Sequence, residues 1–310
     1  VVDEANGISS ILEPLGPPVV FGPNNFPFAF NGIAGCDFAA AIAAGNPVIA
    51  KAHSSHPNTC KLLAECAQRA AEKTGMPAGI VQLLYGMSRE DGVRMVADPR
   101  VAAIGFTGSR TAGMAIKAAA DALGKPVYLE MSSVNPVVIL PGALAERGSE
   151  VVGEMKTSAL MGTGQFCTNP GLVFLIEGED SNKFIEELAE NYRDAPCGTL
   201  LSKGSKQGLV AGIEALVAAG AEVITGHEEQ KLPGYNYANT LLRVTGQQFL
   251  AKPEDLQTEA FGNATLAVVV TDADELAAAL AGCEGNLTGG IYSAKGGRDD
   301  AAYCQIAAVL

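Results

Sequence analysis

Short apolar runs along the first half of this chain alternate with longer stretches in which apolar positions recur at helical spacing. "PVVFG" (18–22) reads as a strand, Phe28 to Ala44 as a helix stopped by Gly45, and "VIAK" (48–51) as the next strand. Pro57 opens a helix in which Leu62, Leu63, Cys66, Ala67 and Ala70 share one side, and Gly75 ends it. The alternation continues through a strand at 80–85, a helix near 90–97, a strand at 101–106, a helix through 112–123 and a strand at 127–130. Repeated strand–helix units of this kind predict a parallel sheet with helices on both faces.

The second half keeps the pattern with different spacing. Strands are predicted at 136–140, 172–176, 222–225, 240–244, 265–270 and 289–293. Met131, Ser132 and Ser133 separate two strand-like runs, which sets a domain boundary near 130–135. The fold class predicted is α/β, with two doubly wound, mostly parallel-sheet domains over 1–130 and 131–310. No low-complexity linker separates them, so close packing is expected.

Composition narrows the function. A chain of 310 residues that is 48% hydrophobic can bury a sizeable core, and its net charge of -13 without a basic run argues against nucleic acid or an anionic membrane as partner. The most apolar stretch, 26–50, is broken by Asn31, Asp37, Asn46 and Pro47 and is no membrane span; the acidic start "VVDEANGISS" is no signal peptide, and a cytoplasmic location is expected. The seven cysteines form no CxxC pair, so reduced thiols are expected rather than a disulfide framework or a zinc site. His53 and His56 lack further clustered ligands, and no metal is expected.

Parallel sheets bind ligands where strands end in loops. Four such places carry chemistry. Asn24 and Asn25 follow the first strand, where a turn with an N-cap would use asparagine equally well. "IGFTGSRTAG" runs a strand through a Gly-Ser turn into a helix, leaving backbone N–H groups free for a phosphate, although glycine turns of this kind are common. Glu130 ends the strand "VYLE", where a carboxylate is solvated or functional. Cys167 sits in "MGTGQFCTNPG", where a free cysteine packed as a small hydrophobe is the plain alternative.

In order and spacing, these four together with "IAKAHSS" at Lys51, "QTEAFGN" at Glu259 and Phe261, and "LTGGIYS" resemble the NAD(P)-dependent aldehyde dehydrogenase superfamily over nearly the whole chain. "YLEMSSVNP" and "GQFCTNPG" are most similar to the branch of 2,5-dioxopentanoate (α-ketoglutaric semialdehyde) dehydrogenases and a bacterial fatty aldehyde dehydrogenase. Common members have Glu-Leu-Gly-Gly-Lys-Asn-Pro where this chain has Glu130-Met131-Ser132-Ser133-Val134-Asn135-Pro136, a loss of two glycines near the nicotinamide. By the same resemblance the chain is expected to be shorter than a complete member at both ends, and the full-length protein to be a homo-oligomer.

The resemblance implies Cys167 as nucleophile, Glu130 as the base for hydrolysis, and Asn25 with the Cys167 backbone N–H as donors to the developing oxyanion. Gly162 and Gly164 would let backbone approach the substrate closely. It implies Lys51 and Glu259 at the riboses, Ser109 near the pyrophosphate and Phe261 against the nicotinamide. NADP is expected in preference to NAD. Ser54 stands where many NAD-dependent members have a glutamate, and Arg89 matches an arginine that reaches the 2′-phosphate in NADP-using relatives; Ser54 leaves NAD usable, and an ordinary exposed arginine at the start of a helix is the alternative for Arg89. The substrate implied is an aldehyde, 2,5-dioxopentanoate or a similar semialdehyde, with a long-chain fatty aldehyde, a CoA-acylating reaction and a catalytically silent scaffold as alternatives.

Overall fold

The computed structural model describes residues 2–310, which divide into two compact units that meet in sequence between Ser132 and Ser133. In the first, a short hairpin of β1 (Val2–Asp3) and β2 (Ile8–Ser9) precedes a five-stranded sheet of β3 (Pro18–Phe21), β4 (Val48–Lys51), β5 (Val81–Leu84), β6 (Ala103–Thr107) and β7 (Val127–Glu130). The order is β5-β4-β3-β6-β7, and every pairing is parallel. The chain enters this sheet at its middle strand, winds out to β5 and returns to β6, so the winding reverses between β3 and β6.

Four helices connect these strands: α1 (Cys36–Ala43), α2 (Pro57–Lys73), α3 (Arg89–Ala97) and α4 (Arg110–Asp121). Ser88 and Ser109 cap α3 and α4, each hydroxyl accepting from a backbone N–H three residues on. Val96 of α3 and Ile116 and Ala120 of α4 pack with Val19, Phe21, Ile104 and Phe106 into one core. The other helices seal much less: α1 buries no side chain, and α2 buries only Cys60 and Ala71.

The helix predicted from Phe28 begins only at Cys36. Asn31 is the reason. Its side-chain amide donates to Pro27 O (2.9 Å) and its Oδ1 accepts from the N–H of Ile33 (3.1 Å), so the segment closes into turns that compete with a helix.

The second unit begins with β8 (Val137–Ile139) and a kinked helix α5 (Pro141–Leu160) that the apolar pattern alone does not predict. There follow β9 (Leu172–Ile176), α6 (Glu179–Asp194), α7 (Lys203–Ala219), β10 (Glu222–Thr225), β11 (Thr240–Thr245), α8 (Gly246–Ala251), α9 (Pro253–Leu256), β12 (Ala264–Val270), α10 (Ala273–Ala281), β13 (Gly290–Tyr292) and α11 (Asp300–Ala307). The sheet runs β10-β11-β12-β9-β8-β13, with β10 antiparallel to β11 and all other pairs parallel.

Alternate residues of its strands feed two cores. Leu172, Phe174, Leu266 and Val268 face Leu209 and Ile213 of α7, Phe249 of α8 and Leu276 of α10. Val173, Leu175, Ala267 and Val269 face Val151 and Met155 of α5 and Phe184 and Leu188 of α6. All seven residues of β12 are buried, which explains why its sequence is apolar on both faces apart from Thr265, whose hydroxyl meets Tyr192 Oη.

Candidate functional site

In the first unit, register places the residues singled out by sequence along one edge. Lys51 pairs with Phe21 and with Leu84, Phe21 with Phe106, and Thr107 with Glu130, so β5, β4, β3, β6 and β7 all end at one level. Beyond that edge, Asn25 lies half-buried in the bend after β3, and Ser109 leads from β6 into α4. These two loops leave neighbouring strands at the point where the winding reverses, the place where open parallel sheets hold ligands. Ser109 is exposed at the start of α4, where its hydroxyl accepts from the N–H of Ala112 and the N–H of Arg110 meets Ser132 Oγ at 3.4 Å; the N-terminal end of a helix favours an anion.

The loops after β4 and β5 are neighbours as well. Lys51 is half-buried, and burial lowers its ammonium pKa, with the nearby Cys60 acting in the opposite sense. Ser54 and Arg89 are both exposed, Arg89 as the first residue of α3. His53 is pushed down to about 4, first by burial and then by the charges of Lys51 and His56. The rings of His53 and His56 stack with centroids 5.1 Å apart, and His56 Nε2 lies 3.2 Å from Pro23 O. A donor is needed on that nitrogen, which leaves Nδ1 to accept from the Cys60 thiol at 3.4 Å. The Asn25 loop is thereby tied at Pro23 to the start of α2. Among the described residues no group of three or more His, Cys, Asp and Glu side chains could hold a metal ion.

In the second unit Cys167 lies on a loop, half-buried, after a single turn of 3-10 helix at Met161–Gly164. Gly162, Thr163 and Gly164 have φ of 57°, 60° and 66°, three consecutive left-handed residues of which one carries a β-branched side chain. At Gly164 a Cβ would stand 2.1 Å from Gly262 O, so no other residue fits. That contact joins "GTGQFC" to "EAFGN". Ser133, Gly164, Phe166, Asn169, Glu259 and Phe261 accordingly line one narrow pocket.

The main chain is gripped on both sides of Cys167. Before it, the buried Gln165 donates to Gly162 O (3.0 Å) and accepts from Leu201 N–H (2.8 Å). After it, the buried Asn135 donates to Cys167 O (2.9 Å) and Asn169 O (2.8 Å). Glu259 accepts from the N–H of Ser133 at 3.2 Å. Burial raises the thiol of Cys283 to about 11 and also raises that of Cys197, against which a hydrogen bond to Tyr237 and the charge of Lys206 act. Cys60 is buried, and Cys36, Cys66 and Cys304 are exposed.

Sequence reading missed Gln165, Asn135 and Asn286 as parts of this loop. The only available signal was the repeated Asn-Pro, at Asn135-Pro136 and Asn169-Pro170, whose asparagines turn out to meet.

Residues 2–308 match the aldehyde dehydrogenase family, and the chain belongs to that family. It is similar to alpha-ketoglutaric semialdehyde dehydrogenase 2 of Azospirillum brasilense, 44% identical over 276 residues that cover 88% of this chain and 52% of that protein. It is also similar to the alpha-ketoglutaric semialdehyde dehydrogenase of Acinetobacter baylyi, at 36% identity, covering 90% of this chain and 53% of the relative. The chain thus spans about half the length of these curated relatives. Among solved structures, the fold is shared with glyceraldehyde-3-phosphate dehydrogenase GapN of Methanocaldococcus jannaschii complexed with NADP, at TM-score 0.75 and 24% identity, covering 95% of this chain and 63% of that one. A NAD-dependent benzaldehyde dehydrogenase of Corynebacterium glutamicum has the same fold, with TM-score 0.74, 24% identity and the same coverage. No helix among the described residues is long and apolar enough to cross a membrane.

Proposed function

We propose that this protein oxidises an aldehyde to a carboxylic acid through a covalent intermediate on Cys167. The observation that carries this reading is the Cys167 loop. A half-buried thiol stands on a strained segment gripped on both sides, and Gly164, Phe166 and Asn169 of the same loop line one pocket with Glu259 and Phe261. Structure of this kind suits a group that must be held in one place.

An aldehyde carbon gives up hydride readily only once it is tetrahedral and electron-rich. The Cys167 thiolate attacks the carbonyl carbon, forming a C–S bond and placing negative charge on oxygen. Donors for that charge are the side-chain amide of Asn25 and the backbone N–H of Cys167, and losing one donor of this type typically lowers the rate roughly a hundred- to a thousandfold. A bound nicotinamide dinucleotide supplies the acceptor for the hydride. Loss of hydride leaves a thioester on Cys167. Glu130 then takes a proton from water, the water oxygen attacks the thioester carbon, and the C–S bond breaks to release the acid and the thiolate.

The carboxyl edge of the first sheet suits a dinucleotide, because it offers the N-terminal end of α4, whose dipole favours a phosphate, and a half-buried ammonium at Lys51. Lys51 and Glu259 would hold the riboses, Ser109 would stand by the pyrophosphate, and Phe261 would lie against the nicotinamide. NADP is preferred over NAD in this reading. Ser54 and Arg89 follow neighbouring strands, neither Ser54 nor its loop places a carboxylate there, and Arg89 supplies a guanidinium for a 2′-phosphate. The substrate class is a semialdehyde such as 2,5-dioxopentanoate, supported by the similarity to the Azospirillum and Acinetobacter proteins.

Cofactor-dependent absorbance with 2,5-dioxopentanoate, glutarate semialdehyde and long-chain aldehydes, with and without CoA, tests the reading. Semialdehydes should give the highest kcat/KM and CoA should be without effect; a fatty-aldehyde preference or a CoA requirement overturns the substrate or the hydrolytic step, and silence towards the whole panel overturns the activity. Arg89→Ala should lower kcat/KM for NADP about tenfold while leaving NAD nearly unchanged. A wild-type preference for NAD sinks the cofactor assignment.

A further inference from the structure

Three segments distant in sequence are joined behind the Cys167 loop. Asn135, 2% exposed and at φ 47°, donates its side-chain amide to Cys167 O and Asn169 O. Its Oδ1 accepts from the N–H and the hydroxyl of Thr288, both at 3.2 Å. Asn286 Oδ1 accepts from the backbone N–H groups of Val134 (2.8 Å) and Asn135 (3.0 Å). Ser133 Oγ lies 2.8 Å from Asn135 Oδ1 and 3.1 Å from Asn286 Oδ1, and it accepts from Leu287 N–H at 3.0 Å. A hydroxyl has one proton, so Ser133 donates to one of the two amide oxygens at a time.

The arrangement has a direction. Asparagine tolerates the left-handed region better than most residues, but it stays there only where the surroundings over-determine it. Asn286 supplies that constraint, because one side-chain oxygen takes the N–H of Asn135 itself and the N–H before it. Ser133 and Thr288 then fix the rotation of the Asn135 side chain by saturating its oxygen. The Asn135 amide that remains can point only at the carbonyls of Cys167 and Asn169. Ser133, one of the two serines where common members of the family have glycines, is thus a working part of the link.

We propose that Asn286 and Ser133 are positioning residues for Cys167, acting through Asn135 to hold the main chain at the thiol. This rests on Cys167 as the nucleophile. A misplacement of about 1 Å at a reacting atom can lower a rate roughly a hundredfold, so the effect falls on kcat and not on binding.

The test uses the full-length protein with Asn286→Ala, Asn286→Asp and Ser133→Ala. Asn286→Ala should lower kcat about thirtyfold with KM within about threefold, and should slow alkylation of Cys167 by iodoacetamide, mapped by mass spectrometry, about tenfold. Asn286→Asp keeps an oxygen that accepts the same two N–H groups and should recover most of both losses, a rescue that a general loss of packing would not show. Ser133→Ala should give the same pattern at about fivefold, and it decides the matter if Asn286→Ala does not fold. Wild-type kcat and wild-type Cys167 alkylation in the folded variants overturn the proposal, as does an Asn286→Asp protein no better than Asn286→Ala. Alkylation is read without turnover, so a failure here is distinct from a failure of the nucleophile assignment, which Cys167→Ser tests by itself.

Discussion

The two units hold their candidate residues by opposite means. In the first, Lys51, Asn25, Ser109 and Glu130 stand at or just beyond the ends of parallel strands, and the sheet register sets their positions. In the second, Cys167 belongs to no strand, and its position depends on three left-handed residues and on side-chain amides from Gln165 and Asn135. Backbone ladders place the groups proposed to bind and to accept a proton. The proposed nucleophile, which has to be correct to a fraction of an ångström, is held by side chains.

The largest expected effect lies at that nucleophile. Cys167→Ser should reduce steady-state turnover roughly a thousandfold or more while leaving the fold intact by circular dichroism. Activity within tenfold of wild type would dissolve the contrast between the units. Limiting iodoacetamide sharpens it further. The exposed Cys36, Cys66 and Cys304 are accessible too, but only labelling at Cys167 should track loss of activity, with Cys197 and Cys283 held back by their raised thiols.

Next comes the strand-end carboxylate. Glu130→Gln should permit a burst of about one reduced cofactor per active site and then lower the steady rate about a hundred- to ten-thousandfold, since hydrolysis and not oxidation needs the base. A normal steady rate would leave the first unit with binding groups alone.

A stability effect of middle size tests how far the second unit relies on side chains. Asp299, 6% exposed, accepts from the N–H groups of Gly142 (2.8 Å), Ala143 (3.0 Å) and Ala294 (2.8 Å), and so caps α5 from the far end of the chain. Asp299→Ala should destabilise by about 2–4 kcal/mol in urea melts. A loss below about 0.5 kcal/mol would mean that the backbone needs no such cap.

The smallest effect belongs to His53 in the first unit. Its folded value of about 4 lies below the ordinary 6.5, so between these the unfolded chain binds more protons than the native one. Stability is therefore complete above pH 6.5 and lost as pH falls towards 4. Because the ring is only partly buried, the loss should be about 1–2 kcal/mol, and His53→Gln should remove that part of the pH dependence. Melts at pH 7 and pH 5 that shift equally in both proteins would refute it.

The strands were legible because each is a short apolar run bounded by glycine, proline or a polar turn, and β4, β7, β9 and β10 fall where the pattern predicts them. The strand-end places of Asn25, Ser109 and Glu130 were legible for the same reason, while Lys51, Ser54 and Arg89 were singled out only through the family resemblance. The start of α1 was not, because a single asparagine can close a turn that composition does not reveal. The grip on Cys167 was the least legible of all. Asn286 meets residues 151 to 153 positions away, and neither periodicity nor local spacing carries that information.

Those separations also impose an order in time. As the chain is made, the segment with Asn135, α5 and Cys167 is complete well over a hundred residues before Asn286 and Asp299 exist to bind it. Contacts that close such long loops form late, after local helices and neighbouring strands have gained their stability. The nascent protein therefore carries the Cys167 thiol on an unset loop, and that loop acquires its final shape only with the arrival of residues 286 to 299.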